Sequence, residues 1–219
     1  MKRALLWQGI AVSALSGACA APPPESERLA ESIVITRHAP DADFSKFKTY
    51  YLRPEVRTLA EDGELEPVDP SKAQPLLSTV TKNMTNRGFV AVDKQDAELA
   101  VEVVYVEQIS TATWCYYWYS PYYWGYPAWG YYPYYPCDTA VWKSGMLATM
   151  MTDLTPALEN PGGVGDGGGE AGAGGNGGRP NVLDGIWFAG VYAVSPSTGD
   201  GADGINQAFK QSPYIKAGK

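Results

Sequence analysis

Residues 71–92, SKAQPLLSTVTKNMTNRGFVAV, contain a helix pattern followed directly by a strand pattern. Apolar residues recur at steps of three and four, as on one side of an amphipathic helix: Ala73, Leu76, Leu77, Val80 and Met84. Gly88 stands where a helix C-terminal glycine belongs, and residues 89–92 then form a short strand. Because Pro75 removes a backbone hydrogen-bond donor, we expect regular helix to begin only there.

Further strands are predicted on both sides of this stretch. Residues 32–36 and 49–52 are β-branched or aromatic and predict two strands before the helix, and residues 99–109 predict a longer one after it. Glu102 and Glu107 limit how deeply we expect that longer strand to be buried. The acidic, irregular run at 61–70 predicts a surface loop. Residues 144–153 and 186–194 are predicted to form two strands that pair antiparallel, and residues 205–211 are predicted to form a C-terminal helix.

These elements predict an α+β fold with one domain at residues 31–216. We expect a mostly antiparallel sheet packed by one longer helix and one C-terminal helix, since the length suits one domain with a substantial core. Two low-complexity insertions interrupt it, an aromatic one at 114–136 and a glycine-rich one at 161–180. Residues 162–178 include eleven glycines and almost no side chain to bury, so this stretch predicts a flexible linker.

The N-terminus has the layout of a secretory signal peptide. Lys2 and Arg3 precede a mostly apolar run from Ala4 to Leu15, and small residues then lead to Cys19. The run is shorter than the roughly 20 apolar residues that a membrane-spanning helix needs. Residues 1–18 are therefore predicted to be a signal peptide and residues 19–30 a tether.

Two cleavage sites compete at the end of this signal. Leu15-Ser16-Gly17-Ala18-Cys19 resembles the lipobox of bacterial lipoproteins, whereas Ala18-Cys19-Ala20 is an A-x-A site for the ordinary signal peptidase. The first predicts a lipid anchor on Cys19, and more than one buried acyl chain holds a protein stably on a membrane. We expect the chain at the periplasmic face of the outer membrane; the second site would give a soluble periplasmic protein.

The charge of the chain bears on nucleic-acid binding, and its cysteines bear on disulfide and metal bonding. Loss of Lys2 and Arg3 with the signal changes the formal net charge from −7 to −9, and an acidic chain without a basic cluster is a poor nucleic-acid binder. Cys115 and Cys137 would remain as a pair, which in an oxidising periplasm predicts one disulfide. Two cysteines without a neighbouring histidine do not make a zinc site.

Several of these segments together resemble the bacterial lipoproteins grouped as domain of unknown function 4136. The resemblance rests on the signature at 43–50, DFSKFKTY, on the helix leading into Gly88-Phe89, on the strand opening at 96–101, DAELAV, and on the closing helix with Pro213 after it. It covers most of the chain from about residue 33. The family usually joins its last two strands by a tight turn, where this chain has the glycine-rich insertion. The resemblance implies an α+β domain on a lipid anchor and no established molecular activity.

No residue pattern predicts catalysis, a metal site or a cofactor. His38 is the only histidine, and no nucleophile motif accompanies it. Asp41 and Asp43 form an Asp-x-Asp pair, which before a strand is usually turn chemistry rather than an acid and base. One acidic run lacks the ligand order of a known calcium loop and is interpreted as solvated surface: Glu61, Asp62, Glu64 and Glu66.

The aromatic insertion is the main candidate for binding. Its residues 114–135 include four tryptophans and ten tyrosines, which combine a large apolar face with a polar tip and suit sugars, peptides or membrane interfaces. The predicted contact residues are Trp118, Trp124, Trp129, Tyr122 and Tyr126. The expected partner is peptidoglycan or an envelope protein, bound by a non-catalytic module. The alternative is a structural or self-associating protein whose aromatic loop covers a sheet edge or touches the membrane surface.

Overall fold

Each strand and helix that the sequence predicts has a counterpart in the structure. The computed structural model describes residues 33–59, 65–106, 130–132, 145–159, 182–192 and 200–218, with only the backbone at 130–132. The strands are β1 (Val34–His38), β2 (Thr49–Leu52), β3 (Arg57–Leu59), β4 (Leu65–Pro67), β5 (Val90–Ala91), β6 (Leu99–Val106), β7 (Gly130–Tyr132), β8 (Met146–Asp153) and β9 (Val182–Val191). The helices are α1 (Pro70–Asn86), α2 (Thr155–Glu159) and α3 (Asp200–Gln211).

The strands form one mixed sheet in the order β1-β9-β8-β6-β2-β5. Its three long ladders, β1 with β9, β9 with β8, and β8 with β6, are antiparallel. The shorter pairings of β6 with β2 and β3, and of β2 with β5, are parallel. The predicted α+β class and the predicted pairing of the strands on either side of the glycine-rich insertion are confirmed.

Two helices cover one face of this sheet, here called the first face. Strand alternation places Leu99, Val101 and Val103 of β6 on it, and all three are buried. The apolar stripe of α1 packs against them together with Ile205, Ala208 and Phe209 of α3. The helices are also joined directly, since Arg87 Nη2 donates to Phe209 O at 2.7 Å and the guanidinium lies 4.8 Å from the Phe209 ring centroid.

The opposite face, here called the second face, is also apolar and also buried. Its residues on the two central strands are all at most 3% exposed: Ala100, Glu102, Val104, Val106, Met146, Ala148, Met150 and Thr152. Among the described residues, those that join this cluster from outside the strands include Ala97, Leu154 and Ala157, all near one end of the sheet. No described helix longer than the five residues of α2 packs there.

Helix α1 begins earlier than predicted, so the expectation of a start at Pro75 was wrong. The Asp69 side chain accepts from the backbone N–H of Ser71 at 2.8 Å, and Pro70 occupies the first helical position, where its missing N–H is not needed. The helix tolerates Pro75 within its second turn. At the other end Gly88 has φ +90°, and the N–H groups of Gly88 and Phe89 donate to Thr85 O and Met84 O in a Schellman motif.

Two other expectations were wrong. Within the predicted 61–70 loop, Leu65–Pro67 forms β4, which pairs with β3. Glu102 does not limit the burial of β6, because the whole strand is buried and Glu102 itself is 0% exposed. The predicted signal peptide, tether and glycine-rich insertion, residues 1–18, 19–30 and 161–180, lie outside the described residues, as does the aromatic insertion 114–136 except for the backbone of β7.

Helix α3 approaches β9 closely at Gly204. A Cβ atom at this position would lie 2.8 Å from Val191 Cγ2 and still nearer to Val191 Cγ1. Val191 is itself buried on the first face and cannot move aside without disturbing its neighbours. The absence of a side chain at residue 204 therefore sets the distance between α3 and the sheet.

We predict that Gly204→Ala destabilises the domain by about 1–3 kcal/mol, as expected for overpacking of a core, despite the better helix propensity of alanine. Gly201→Ala is the matched control in the same helix, since its Cβ would meet only the ends of the Leu76 and Leu147 side chains, at 3.0 and 3.2 Å. Urea unfolding of both variants measures the difference. Equal stability of the two would contradict the close approach.

Candidate functional site

All residues of the predicted site lie outside the described residues. They are Cys19, Cys115, Cys137, Trp118, Trp124, Trp129, Tyr122 and Tyr126. The anchor, the disulfide and the aromatic contact residues therefore stay predictions. The structure does place the strand ends on either side of residues 107–144, which contain the aromatic insertion, and the weaker catalytic candidates His38, Asp41 and Asp43.

His38 and Asp43 take part in local structure at one end of the domain. The His38 ring lies 4.3 Å from the Tyr214 ring centroid, and its Nδ1 lies 2.8 Å from Ala39 O. Asp43 Oδ1 accepts from the Ser45 hydroxyl at 2.6 Å and from the Ser45 N–H at 3.1 Å. The hydroxyl bond is the main reason that the pKa of Asp43 is lowered. Asp41 and Glu66 are exposed, and Glu61, Asp62 and Glu64 lie outside the described residues.

The signature at residues 43–50 contacts the second sequence motif, residues 96–101, through hydrogen bonds. Glu98 Oε2 accepts from the backbone N–H groups of Lys48 and Thr49 at 2.5 and 3.0 Å. In return the Thr49 hydroxyl accepts from the Glu98 N–H at 3.1 Å and lies 3.2 Å from Asp96 O, to which it donates. The C-terminal segment closes the same region, because the Gly218 N–H donates to Phe47 O at 3.1 Å. These motif residues therefore hold β2 beside β6 through hydrogen bonds to backbone groups.

A charged cluster on the second face is the strongest concentration of polar chemistry in the described part of the chain. Glu102 points from the middle of β6, and its Oε1 accepts a hydrogen bond from Arg57 and forms an ion pair with Arg53. Arg53 Nε lies 2.8 Å from this oxygen and Arg57 Nη2 lies 2.6 Å from it. The carboxylate is fully buried, whereas the arginine side chains are 20% and 18% exposed, so the cluster reaches from the core toward the surface.

Burial dominates the electrostatics of this cluster. Desolvation raises the pKa of Glu102, and the charges of Arg53 and Arg57 act in the opposite direction. Burial and the nearby positive charge of Arg53 lower the pKa of Lys94. Glu102 Oε2 and Thr152 Oγ1 have no hydrogen-bond partner within the described residues. The arrangement can hold a carboxylate in the core, and we assign it no chemical step.

Sequence reasoning missed this cluster for a definable reason. A glutamate inside an apolar strand normally indicates partial exposure, and the two arginines that bury it are 45 or more residues earlier in the chain. The available signal was the pair Arg53 and Arg57 at the end of one predicted strand. Their spacing alone does not identify which carboxylate they meet.

Metal ligation and membrane crossing receive no support from the described residues. Among them, no group of three or more His, Cys, Asp and Glu side chains is placed to hold a metal ion. Within the same ranges, no helix is both long enough and apolar enough to cross a membrane.

We predict that Arg53→Met with Arg57→Met destabilises the domain by about 3–5 kcal/mol at neutral pH, because it leaves the Glu102 carboxylate buried without a counter-charge. Loss of both guanidiniums raises the pKa of Glu102 further in the folded state. When the pKa of a carboxyl is higher in the folded than in the unfolded state, where it is near 4.3, protonation stabilises the fold at a pH below the unfolded-state pKa. This stabilisation is lost as the pH rises through the folded-state pKa. The defect should therefore shrink at acidic pH.

Urea unfolding between pH 4 and pH 7 tests this, with a third substitution as the control. Adding Glu102→Met to the double variant removes the buried charge and should restore most of the stability at neutral pH. A double variant whose defect does not change with pH, or which the third substitution fails to rescue, would show that the ion pairs do not support the fold.

Comparisons with known proteins agree with this architecture. The family model for the domain of unknown function DUF4136 matches residues 34–158, more than half of the chain. The crystal structure of a DUF4136 family protein from Bacteroides thetaiotaomicron VPI-5482 is similar at 24% sequence identity and a TM-score of 0.58, covering 84% of this chain and 97% of that one. At this identity the likeness shows the fold alone.

Two crystal structures of the PelC dodecamer from Paraburkholderia phytofirmans also show a likeness, at 12% and 11% identity with TM-scores of 0.36 and 0.37. Each comparison covers 86% of this chain and 99% of the other, and similarity this weak carries no argument about function. No curated protein matches the chain. The family match, in agreement with the signature at 43–50, shows that the chain belongs to the family of proteins with the domain of unknown function DUF4136.

Proposed function

We propose that this protein is a lipid-anchored, non-catalytic binding or scaffolding module of the bacterial envelope, which contacts peptidoglycan or an envelope protein through its aromatic insertion. The observation that carries the proposal is the attachment of that insertion to the central strands. It lies within residues 107–144, which leave the sheet after Val106 of β6 and rejoin it at Gly145 before β8, and the Gly145 N–H donates to Val106 O at 3.2 Å.

A third attachment lies within the insertion. The backbone of Gly130–Tyr132 pairs in parallel with Val182–Asp184 of β9. The connection that contains the insertion is thus attached to the sheet at Val106, at Gly145 and at one internal point, which limits the ordering entropy that remains to be lost on binding. Tryptophan and tyrosine on such a support offer stacking faces and hydroxyl groups to a glycan or to a protein surface.

A structural role is the second candidate. It is favoured by the burial of the second face of the sheet, where Ala148 and Val104 are 0% exposed. In that case the insertion contributes to the fold or to self-association, and its loss changes stability rather than binding.

Substitution of Trp118, Trp124 and Trp129 by alanine separates the two candidates. The binding proposal expects at least a tenfold loss of sedimentation with purified peptidoglycan, or loss of an envelope protein from a pull-down, with the core domain still folded by circular dichroism. The triple Trp→Tyr variant is the matched control, because it keeps an aromatic face at each position and should retain most binding. A lower melting temperature without any binding to lose would favour the structural role.

The lipid anchor is tested separately. Intact mass and peptide mass spectrometry of the membrane-extracted protein should find a diacylglyceryl and acyl modification on Cys19 at the mature N-terminus, and Cys19→Ser should release the protein from the outer-membrane fraction. An unmodified N-terminus at Ala21 would contradict the anchor. It would leave a soluble periplasmic protein with the same domain.

A further inference from the structure

The second face of the sheet requires a covering layer that the described elements do not provide. Its central positions, Val104 on β6 and Ala148 on β8, are 0% exposed and lie between the strand ends. Within the described residues, additions from outside the strands such as Leu154 and Ala157 lie near the end of the sheet where β8 finishes. An apolar face of this kind is buried against another layer in stable domains.

The strand registers indicate which part of the chain crosses this face. Val106 is opposite Met146, so the insertion leaves and re-enters the sheet at the same end of the β6–β8 ladder. At the other end of that ladder Thr152 is opposite Gly185 of β9, and β7 pairs with the residues just before Gly185. Residues 107–129 therefore connect one end of the sheet to the other, and residues 133–144 make the connection back.

The available length suffices for both passages. From Met146 to Thr152 the ladder is about 20 Å long at roughly 3.3 Å per residue. The outward passage has residues 107–129 and the return has residues 133–144, and at roughly 3.3 Å per residue even the shorter of them spans about 40 Å. Helices α1 and α3 already occupy the first face.

Three other internal segments outside the described ranges are less suited to this role. The glycine-rich insertion runs from Glu159 to Val182, which are both at the β7 end of the sheet, and it has almost no side chains to pack. Residues 60–64 join the neighbouring strands β3 and β4, and residues 193–199 lead to α3 on the first face.

We propose that residues 107–144 of the same chain dock on the second face of the sheet and form the third layer of the domain. The composition of the segment suits this face, because Tyr and Trp side chains combine apolar area with polar tips and the face combines apolar residues with the Glu102 cluster. The proposal concerns how the insertion is held and does not depend on whether it binds a partner.

Neighbouring methionines on β8 provide a direct test. Met150 points to the second face and Met151 to the first, and they are 3% and 0% exposed. Both should resist hydrogen peroxide in the intact chain. When an Asn-Gly turn replaces residues 107–144, Met150 should oxidise at least tenfold faster, whereas Met151 and Met84 of α1 should stay protected. Peptide mass spectrometry measures the three rates.

Two outcomes of this experiment would overturn the proposal. Rapid oxidation of Met150 in the intact chain would mean that nothing covers the face. Protection of Met150 in the shortened chain would mean that another segment, or a second copy of the chain, covers it. Loss of partner binding in the triple tryptophan variant would leave both results unchanged, so the docking and binding proposals can fail separately.

Oxidation of all three methionines would show that the shortened chain unfolds, and a second measurement on the full-length insertion then decides. In a Trp187→Phe variant expressed from Ala20, every remaining tryptophan lies between residues 114 and 142. Docking predicts blue-shifted emission and at least threefold weaker acrylamide quenching than in urea. Quenching as strong as in the unfolded chain would refute docking.

Discussion

A sheet whose central strands are apolar on both faces must be covered on both sides. In this domain the requirement falls on β6 and β8, which pair over eight residues and are buried along nearly their whole length. At about 25 cal/mol per Å² of apolar surface, leaving either face in water would remove a large part of the marginal stability of such a domain. Helices α1 and α3 meet the requirement on the first face, with Gly204 setting the distance of α3 from β9.

The family signature contributes to this arrangement through the backbone. Glu98 accepts from two N–H groups at the start of β2, and Gly218 donates to Phe47 O in the same region. A carboxylate that bridges backbone donors fixes the position of a strand whatever side chains surround it. These contacts thus fix the position of β2 in the sheet. They do not identify a substrate or a partner.

Local patterns were enough to predict much of the fold. The three-four stripe of α1, its terminal Gly88 and the pairing of β8 with β9 depend on residues close in sequence or on simple alternation. Strand β4 was missed because Leu65-Glu66-Pro67 has little strand character of its own and pairs only with β3 among the described strands. The Glu102 cluster was missed because its burial depends on arginines distant in sequence. The predicted binding residues lie outside the described ranges, so the sequence remains their only basis.

The position of the aromatic insertion explains why the domain can accommodate it. The segment that contains it, residues 107–144, starts after Val106 and ends before Gly145, where a backbone hydrogen bond closes the β6–β8 ladder as a short turn would. Because loop-closure entropy grows only slowly with length, lengthening such a connection costs little as long as the register of the ladder is kept. Val106 and Met146, which flank the connection, both belong to the buried second face. A connection at this place can therefore lengthen without disturbing the pairing of β6 with β8.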